Sequence, residues 1–214
     1  MAEDRLRIWE TLFQRALALI DSLARAGTTL SDWSFGGGTV LMRRYRHRFS
    51  KDVDIFIPDP QYLGYLSPRL NDAAGEMTDH YVEQANFLKL RFPEGEIDFI
   101  ASAPLTRNPS AAEVIFGREV QVETSTEIVA KKLWHRGDRI AARDILDLAL
   151  VAESEPDALA EIRPVLRDRR AVVLRRIAQT DVALREAFSE LEVLEFRRTY
   201  DDCLAILRKV FEQA

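Results

Sequence analysis

Three aspartates are the residues in this chain whose type and spacing most directly suit chemistry. Asp52 and Asp54 flank a single residue in Asp52-Val53-Asp54-Ile55-Phe56-Ile57, a stretch rich enough in β-branched and aromatic residues to predict a strand. Strand residues two apart point to one face, so Asp52 and Asp54 are expected to project together while Val53, Ile55 and Ile57 turn to the core. Two carboxylates side by side repel one another unless a positive group lies between them, and a hard divalent cation with oxygen ligands satisfies both. Asp98 is a third acid, set in the apolar run Ile97-Asp98-Phe99-Ile100, where an unpaired buried carboxylate is costly and an ion-binding one is not. Plainer readings stay open. An Asp-x-Asp also occurs on solvated strand edges, and Asp98 also suits an ion pair with Lys89 or Arg91 across a hairpin.

Upstream, Gly36-Gly37-Gly38 carries no side chains to hold off a ligand, and Thr39 follows with a hydroxyl. Glycine adopts positive φ, so the amides of such a turn can approach phosphate oxygens closely, and a helix starting there aims its N-terminal amides at the same anion. A plain strand-to-helix turn explains three glycines equally well. Neither a Gly-x-Gly-x-x-Gly nor a Gly-Lys-Ser/Thr pattern occurs, which disfavours dinucleotide and Walker-type phosphate sites.

These residues need elements to position them. Trp9, Phe13, Ala16, Ile20 and Leu23 recur at helical spacing, so residues 5–26 are expected to form an amphipathic helix packed on a sheet. Trp33-Ser34-Phe35 reads as a strand ending at the glycines, Thr39 to Arg48 as a helix, and residues 52–57 as a strand stopped by Pro58. A helix around Tyr62 to Leu70 follows. Phe87 to Phe92 and Ile97 to Ala101 flank Pro93-Glu94-Gly95-Glu96 as a hairpin, and Glu119 to Val122 makes a further strand. From Ser125 onward the spacing is helical almost to the end, with breaks near Gly137, Pro156 and Thr180. The pattern divides the chain into a sheet-bearing core, residues 1–124, and a helical region, residues 125–214.

With 214 residues the chain is long enough to bury roughly 70% of its unfolded surface without disulfide or structural metal. Its 47% hydrophobic and 30% charged residues exclude a disordered polymer. A net charge of −5 argues against sequence-blind adhesion to nucleic acid over the whole surface. Two local basic runs remain: Arg43, Arg44, Arg46, His47, Arg48 and Lys51, read either as a solvated face or as phosphate contacts, and Lys131, Lys132, His135, Arg136, Arg139 and Arg143. The N-terminus lacks the pattern of a secretory signal and no apolar run reaches membrane-span length, so a cytoplasmic protein without membrane contact is expected. Cys203 and the three histidines show no ligand spacing and are assigned no chemistry.

Taken together, Phe35-Gly36-Gly37-Gly38-Thr39, twelve intervening residues, Asp52-Val53-Asp54 and a later Ile-Asp-Phe strand resemble the DNA polymerase β-like nucleotidyltransferase superfamily. More narrowly, Gly-Gly-Thr-Val-Leu-Met-Arg-Arg-Tyr followed by Arg48-Phe49-Ser50-Lys51-Asp52-Val53-Asp54 is similar to the AbiEii/AbiGii toxin family of toxin-antitoxin systems. Downstream, Glu127 to Leu133, Arg136-Gly137 and Arg143-Asp144-Ile145-Leu146-Asp147-Leu148 match that family's helical Lys-Leu and Arg-Asp-x-x-Asp-Leu motifs.

The resemblance implies an α+β fold, a small mixed sheet with flanking helices and a helical C-terminal region. It also implies that Asp52, Asp54 and Asp98 bind Mg²⁺ or Mn²⁺, with Asp98 helping to activate the attacking hydroxyl. Gly37, Gly38, Thr39 and Ser50 are then expected to bind a nucleoside triphosphate, Lys132 to lie near its phosphates, and Asp144 to serve the same site. Whether Lys131 or Lys132 takes that place is open on spacing alone. By kinship the acceptor is RNA, such as a tRNA 3′ end, and a cognate antitoxin is a partner. Transfer to a small molecule or a protein, or an idle nucleotidyltransferase-like binding module, are the alternatives.

Overall fold

The computed structural model describes residues 2–214, which form two compact units interleaved along the sequence. The first holds the stretch up to Val40 with Ser50–Ala103 and Ser110–Glu123; the second holds Leu41–Phe49, Pro104–Pro109 and Thr124–Ala214.

The first unit is built on seven strands: β1 (Ser34–Gly36), β2 (Val53–Ile57), β3 (Tyr81–Gln84), β4 (Phe87–Phe92), β5 (Gly95–Ala101), β6 (Ser110–Ile115) and β7 (Arg118–Glu123). Their order across the sheet is β3-β4-β5-β2-β1-β7-β6. β2 runs parallel to β5 and β1 parallel to β7, and the remaining neighbours are antiparallel. Helices α1 (Ala2–Arg5), α2 (Ile8–Arg25), α4 (Gln61–Leu66) and α5 (Asp72–Met77) belong to the same unit, while α3 (Gly37–Tyr45) starts in it and ends in the second. The apolar stripe of α2 is buried through Leu12, Phe13, Ala16, Leu19 and Ile20, and Phe13 meets Phe35 of β1 with ring centroids 4.5 Å apart. The expected alternation in β2 is present: Val53, Ile55 and Ile57 are buried while Asp54 and Phe56 are half-exposed.

Two strands, β3 and β6, have no counterpart among the elements expected from the sequence. Both are sheet edges, so neither carries the alternating buried face that periodicity detects. The strand expected from Asp52 begins one residue later, at Val53, and the Asp52 carbonyl accepts the Thr39 hydroxyl.

The second unit comprises α6 (Ser125–Arg136), a 3₁₀ turn at Gly137–Arg139, α7 (Ala142–Ser154), α8 (Arg163–Ser189) and α9 (Tyr200–Glu212). Thr124 caps α6, its hydroxyl accepting the Glu127 amide at 3.2 Å, and Thr199 with Asp202 forms a reciprocal cap on α9. The expected breaks at Gly137 and Thr180 occur, the latter as a non-helical residue (φ −129°, ψ 22°) inside α8. Buried Glu127 explains why residues 104–109 join the helices. Its carboxylate accepts the amides of Leu105 and Thr106 and the Thr106 hydroxyl at 2.8–3.1 Å, and Lys131 lies 3.4 Å away. Among the described residues no helix is long and apolar enough to cross a membrane.

Candidate active site

In the first unit the chain passes from β1 into α3 without an intervening loop, so the glycine run is the junction itself. Gly37 has φ +75°, and a Cβ there would strike the Asp54 carboxylate. Only glycine meets both demands. Thr39 is fully buried, and its hydroxyl lies 2.5 Å from the Asp52 carbonyl and 3.1 Å from the Ser50 hydroxyl. A carbonyl can only accept, so the single Thr39 proton goes to Asp52 and Ser50 donates to Thr39. Thr39 therefore ties the start of α3 to the residues that lead into β2.

Parallel pairing of β2 with β5 sets Asp54 opposite Asp98, and antiparallel pairing of β4 with β5 sets Lys89 opposite Asp98. Lys89 Nζ lies 3.1 Å from Asp98 Oδ2 and also contacts Glu96. The ion pair considered for Asp98 thus exists, with Lys89 as its partner. It leaves Asp98 Oδ1 buried and without a hydrogen-bond partner. Burial first, and the negative charge of Asp54 second, push the Asp98 carboxyl up to about 6 against the pull of Lys89.

Asp52 stands apart from this pair in its contacts. Its Oδ1 accepts the Glu96 amide at 3.0 Å, at the tip of the β4–β5 hairpin. With Asp52 held by Glu96 and Asp98 by Lys89, no group of three acidic, histidine or cysteine side chains among the described residues is gathered tightly enough to hold a metal. The residues still suit a hard divalent cation. Asp98 Oδ1 is an orphaned buried acceptor, Asp54 is its like-charged neighbour, and both are oxygen donors.

The second unit holds a different polar cluster. Asp147 is fully buried and accepts both Arg48 Nε at 2.7 Å and Arg48 Nη2 at 2.8 Å. His47 Nε2 lies 2.8 Å from Asp147 Oδ1, and Lys132 Nζ lies 3.0 Å from Asp147 Oδ2 and 2.6 Å from Asp144 Oδ1. Asp144 Oδ2 accepts the Ala141 amide at 3.2 Å, and Arg136 stands 3.4 Å from Oδ1. Burial opposes charge on both aspartates. Lys132 and Arg136 outweigh it at Asp144, and Arg48, Lys132 and His47 at Asp147, so Asp144 is held below the usual carboxylate range and Asp147 well below it. Burial lowers the pKa of His47 despite Asp147, leaving a neutral ring that donates through Nε2.

His47 and Arg48 are neither a solvated face nor open phosphate contacts, because α3 ends at Tyr45 and both side chains fold in on Asp147. Asp144 and Asp147 of the Arg-Asp-x-x-Asp-Leu motif are both buried against α6 and residues 47–48. The two lysines separate: Lys131 pairs with Glu127 one turn back, whereas Lys132 meets Asp144 and Asp147. Sequence reasoning missed Arg48 and His47 as partners of Asp147, about a hundred positions away; the motif spacing of Asp144 and Asp147 was the one available signal.

Solved structures of similar shape share the fold of this chain. A structure of JHP933 from Helicobacter pylori aligns over 96% of this chain and 92% of its own with TM-score 0.50 at 14% identity. The antibiotic-resistance factor ANT(2'')-Ia aligns over 79% of this chain and 98% of its own with TM-score 0.52 at 14% identity. At such identity these likenesses speak for the fold. No curated protein matches the sequence. The model of the family described as nucleotidyl transferase AbiEii toxin, Type IV TA system, matches residues 21–212, and the chain belongs to that family of toxin nucleotidyltransferases.

Proposed function

We propose that this chain moves a nucleotide from a nucleoside triphosphate to an RNA acceptor such as a tRNA 3′ end, in the cytoplasm, as the toxin of a pair whose antitoxin restrains it. The observation that carries the site is the facing pair of Asp54 and Asp98, with the Asp98 Oδ1 buried and unsatisfied. Asp54, Asp98 and the Oδ2 of Asp52 would hold Mg²⁺ or Mn²⁺. Such a cation, when bound, neutralises phosphate charge and makes a hydroxyl easier to deprotonate.

The chain's own residues supply the rest. Asp98 assists deprotonation of the attacking hydroxyl. The acceptor oxygen bonds to the α-phosphorus and pyrophosphate leaves. The amides of Gly37 and Gly38, at the N-terminus of α3, face anionic phosphate favourably. Thr39 and Ser50 brace that turn through the Asp52 carbonyl. Lys132 and Asp144 enter through family kinship, with Asp147 and Arg48 fixing the lysine's position.

The test incubates the protein with Mg²⁺, bulk tRNA and each α-labelled nucleoside triphosphate in turn, beside Asp54→Asn. Label on tRNA with the parent protein alone is expected. Label on a small molecule or on protein, with tRNA left blank, would replace the acceptor; no transfer to any acceptor would overturn the enzymatic reading.

A further inference from the structure

The second unit carries a surface cluster that neither the acids nor the Asp147 network uses. Trp134, near the end of α6, is 39% exposed, and the guanidinium of Arg169 on α8 lies over its ring, 4.1 Å from the centroid. The protein's other two tryptophans, Trp9 and Trp33, are only 7% and 9% exposed. Gly137 closes the end of α6 against α8, where a Cβ would come 3.3 Å from Val172 and 3.7 Å from Cδ of Arg169. This brings the 3₁₀ turn with Arg139 beside Arg169. Exposed His135 sits among these groups: after burial, the charges that lower its pKa are Lys131, Arg139, Arg169 and Arg136, all cations.

Two of those cations are already engaged, Lys131 with Glu127 and Arg136 with Asp144. Among the described residues neither Arg139 nor Arg169 is in an ion pair, and Arg169 Nε is buried with no hydrogen-bond partner. Asp138 and Asp168 are exposed neighbours in sequence that pair with neither. An exposed indole stacked with one arginine outside any ion pair, with a second such arginine nearby, has little value to a folded core. It does suit a polymer that offers flat π faces and phosphates at close intervals, because bases stack on indole and guanidinium planes while arginines bind phosphate.

We infer that Trp134, Arg139 and Arg169 form a docking surface for single-stranded RNA, the unpaired end of the acceptor. This rests on the RNA-acceptor reading above and extends it to the face that holds the acceptor. Bases stack on Trp134 and Arg169, and Arg139 with His135 meets the backbone.

The experiment titrates the full chain with bulk tRNA while following tryptophan emission, and measures transfer to tRNA in parallel. Quenching by tRNA is expected in the parent protein and absent in Trp134→Leu, because the other indoles are buried. Arg139→Glu and Arg169→Glu are each expected to weaken tRNA binding roughly tenfold and Trp134→Leu at least roughly fivefold. The KM for tRNA should rise with kcat and the KM for triphosphate unchanged. Both arginine variants alter exposed or half-exposed side chains, and circular dichroism checks their folding. Parent-like tRNA binding in the folded charge-reversal variants, with transfer to tRNA intact, would overturn the surface and leave the RNA acceptor standing. Quenching by polyglutamate equal to that by tRNA would mark a contact for acidic protein instead. Absence of both binding and transfer with tRNA would remove the acceptor and the surface together.

Discussion

Asp98 and Asp147 are both aspartates drawn out of water, and their surroundings treat them in opposite ways. Asp147 accepts two bonds from Arg48 and lies beside Lys132 and His47, so every lone pair has a partner and its pKa falls well below the usual range. Asp98 has one cation, Lys89, a like charge across the ladder and an oxygen with no partner, and its pKa rises to about 6. One carboxylate is over-supplied with positive charge and the other is short of it. The first pattern holds a structure together, while the second marks a place where positive charge is expected to arrive with the substrate.

The largest effects separate the two patterns cleanly. Asp54→Asn should cut transfer by roughly 1,000-fold or more, since a carboxylate in the charge-stabilising site is lost, yet leave the unfolding midpoint equal or higher because a like-charge contact is relieved. Asp147→Ala should do the reverse first, costing about 3–5 kcal/mol in denaturant unfolding by stranding Arg48 and Lys132. A fall in activity would then follow from lost folding. If Asp147→Ala unfolds like the parent protein, the contrast between the two sites collapses.

Gly37→Ala joins both kinds of effect. It forces a side chain to φ +75° and into the Asp54 carboxylate, so a loss of about 1–3 kcal/mol is expected together with a large loss of activity.

A smaller effect sharpens the comparison through pH. Asp98→Asn in metal-free buffer at pH 7.5 should stabilise the protein by about 1–3 kcal/mol, the scale set by moving a carboxyl from 3.8 to about 6. A raised folded pKa means that the penalty is full above about 6 and fades as pH falls toward 3.8, so the advantage of Asp98→Asn should shrink by pH 4.5. Asp144 and Asp147 are depressed instead. Their contribution is present above 3.8 and is lost only as pH falls through their lower folded values, so the helical unit should keep its hydrogen-exchange protection at pH 4.5. Equal stabilisation by Asp98→Asn at both pH values would contradict the assignment.

The same contrast explains what the sequence could disclose. The β2 alternation, the β4–β5 hairpin and the glycine junction are local patterns, and the Lys89–Asp98 pair follows from hairpin register, so all were legible. The edge strands β3 and β6 were not, because strands with one free side and half-exposed residues carry little periodicity. The Arg48–Asp147 clamp was hidden for another reason: no local rule links a residue after α3 to one in α7. That clamp also helps explain why residues 41–49 fold with the second unit although they follow directly on the glycine turn. The contact of Asp52 Oδ1 with the Glu96 amide was likewise hidden, because it joins residues 44 positions apart.

The most direct test of the central contrast is a calorimetric titration with Mn²⁺ of the parent protein, Asp54→Asn, Asp98→Asn and Asp147→Asn. Binding should be present in the parent, lost or weakened at least about tenfold in the first two variants, and retained in folded Asp147→Asn. Undiminished binding in Asp54→Asn and Asp98→Asn would show that the facing aspartates are not where the cation sits.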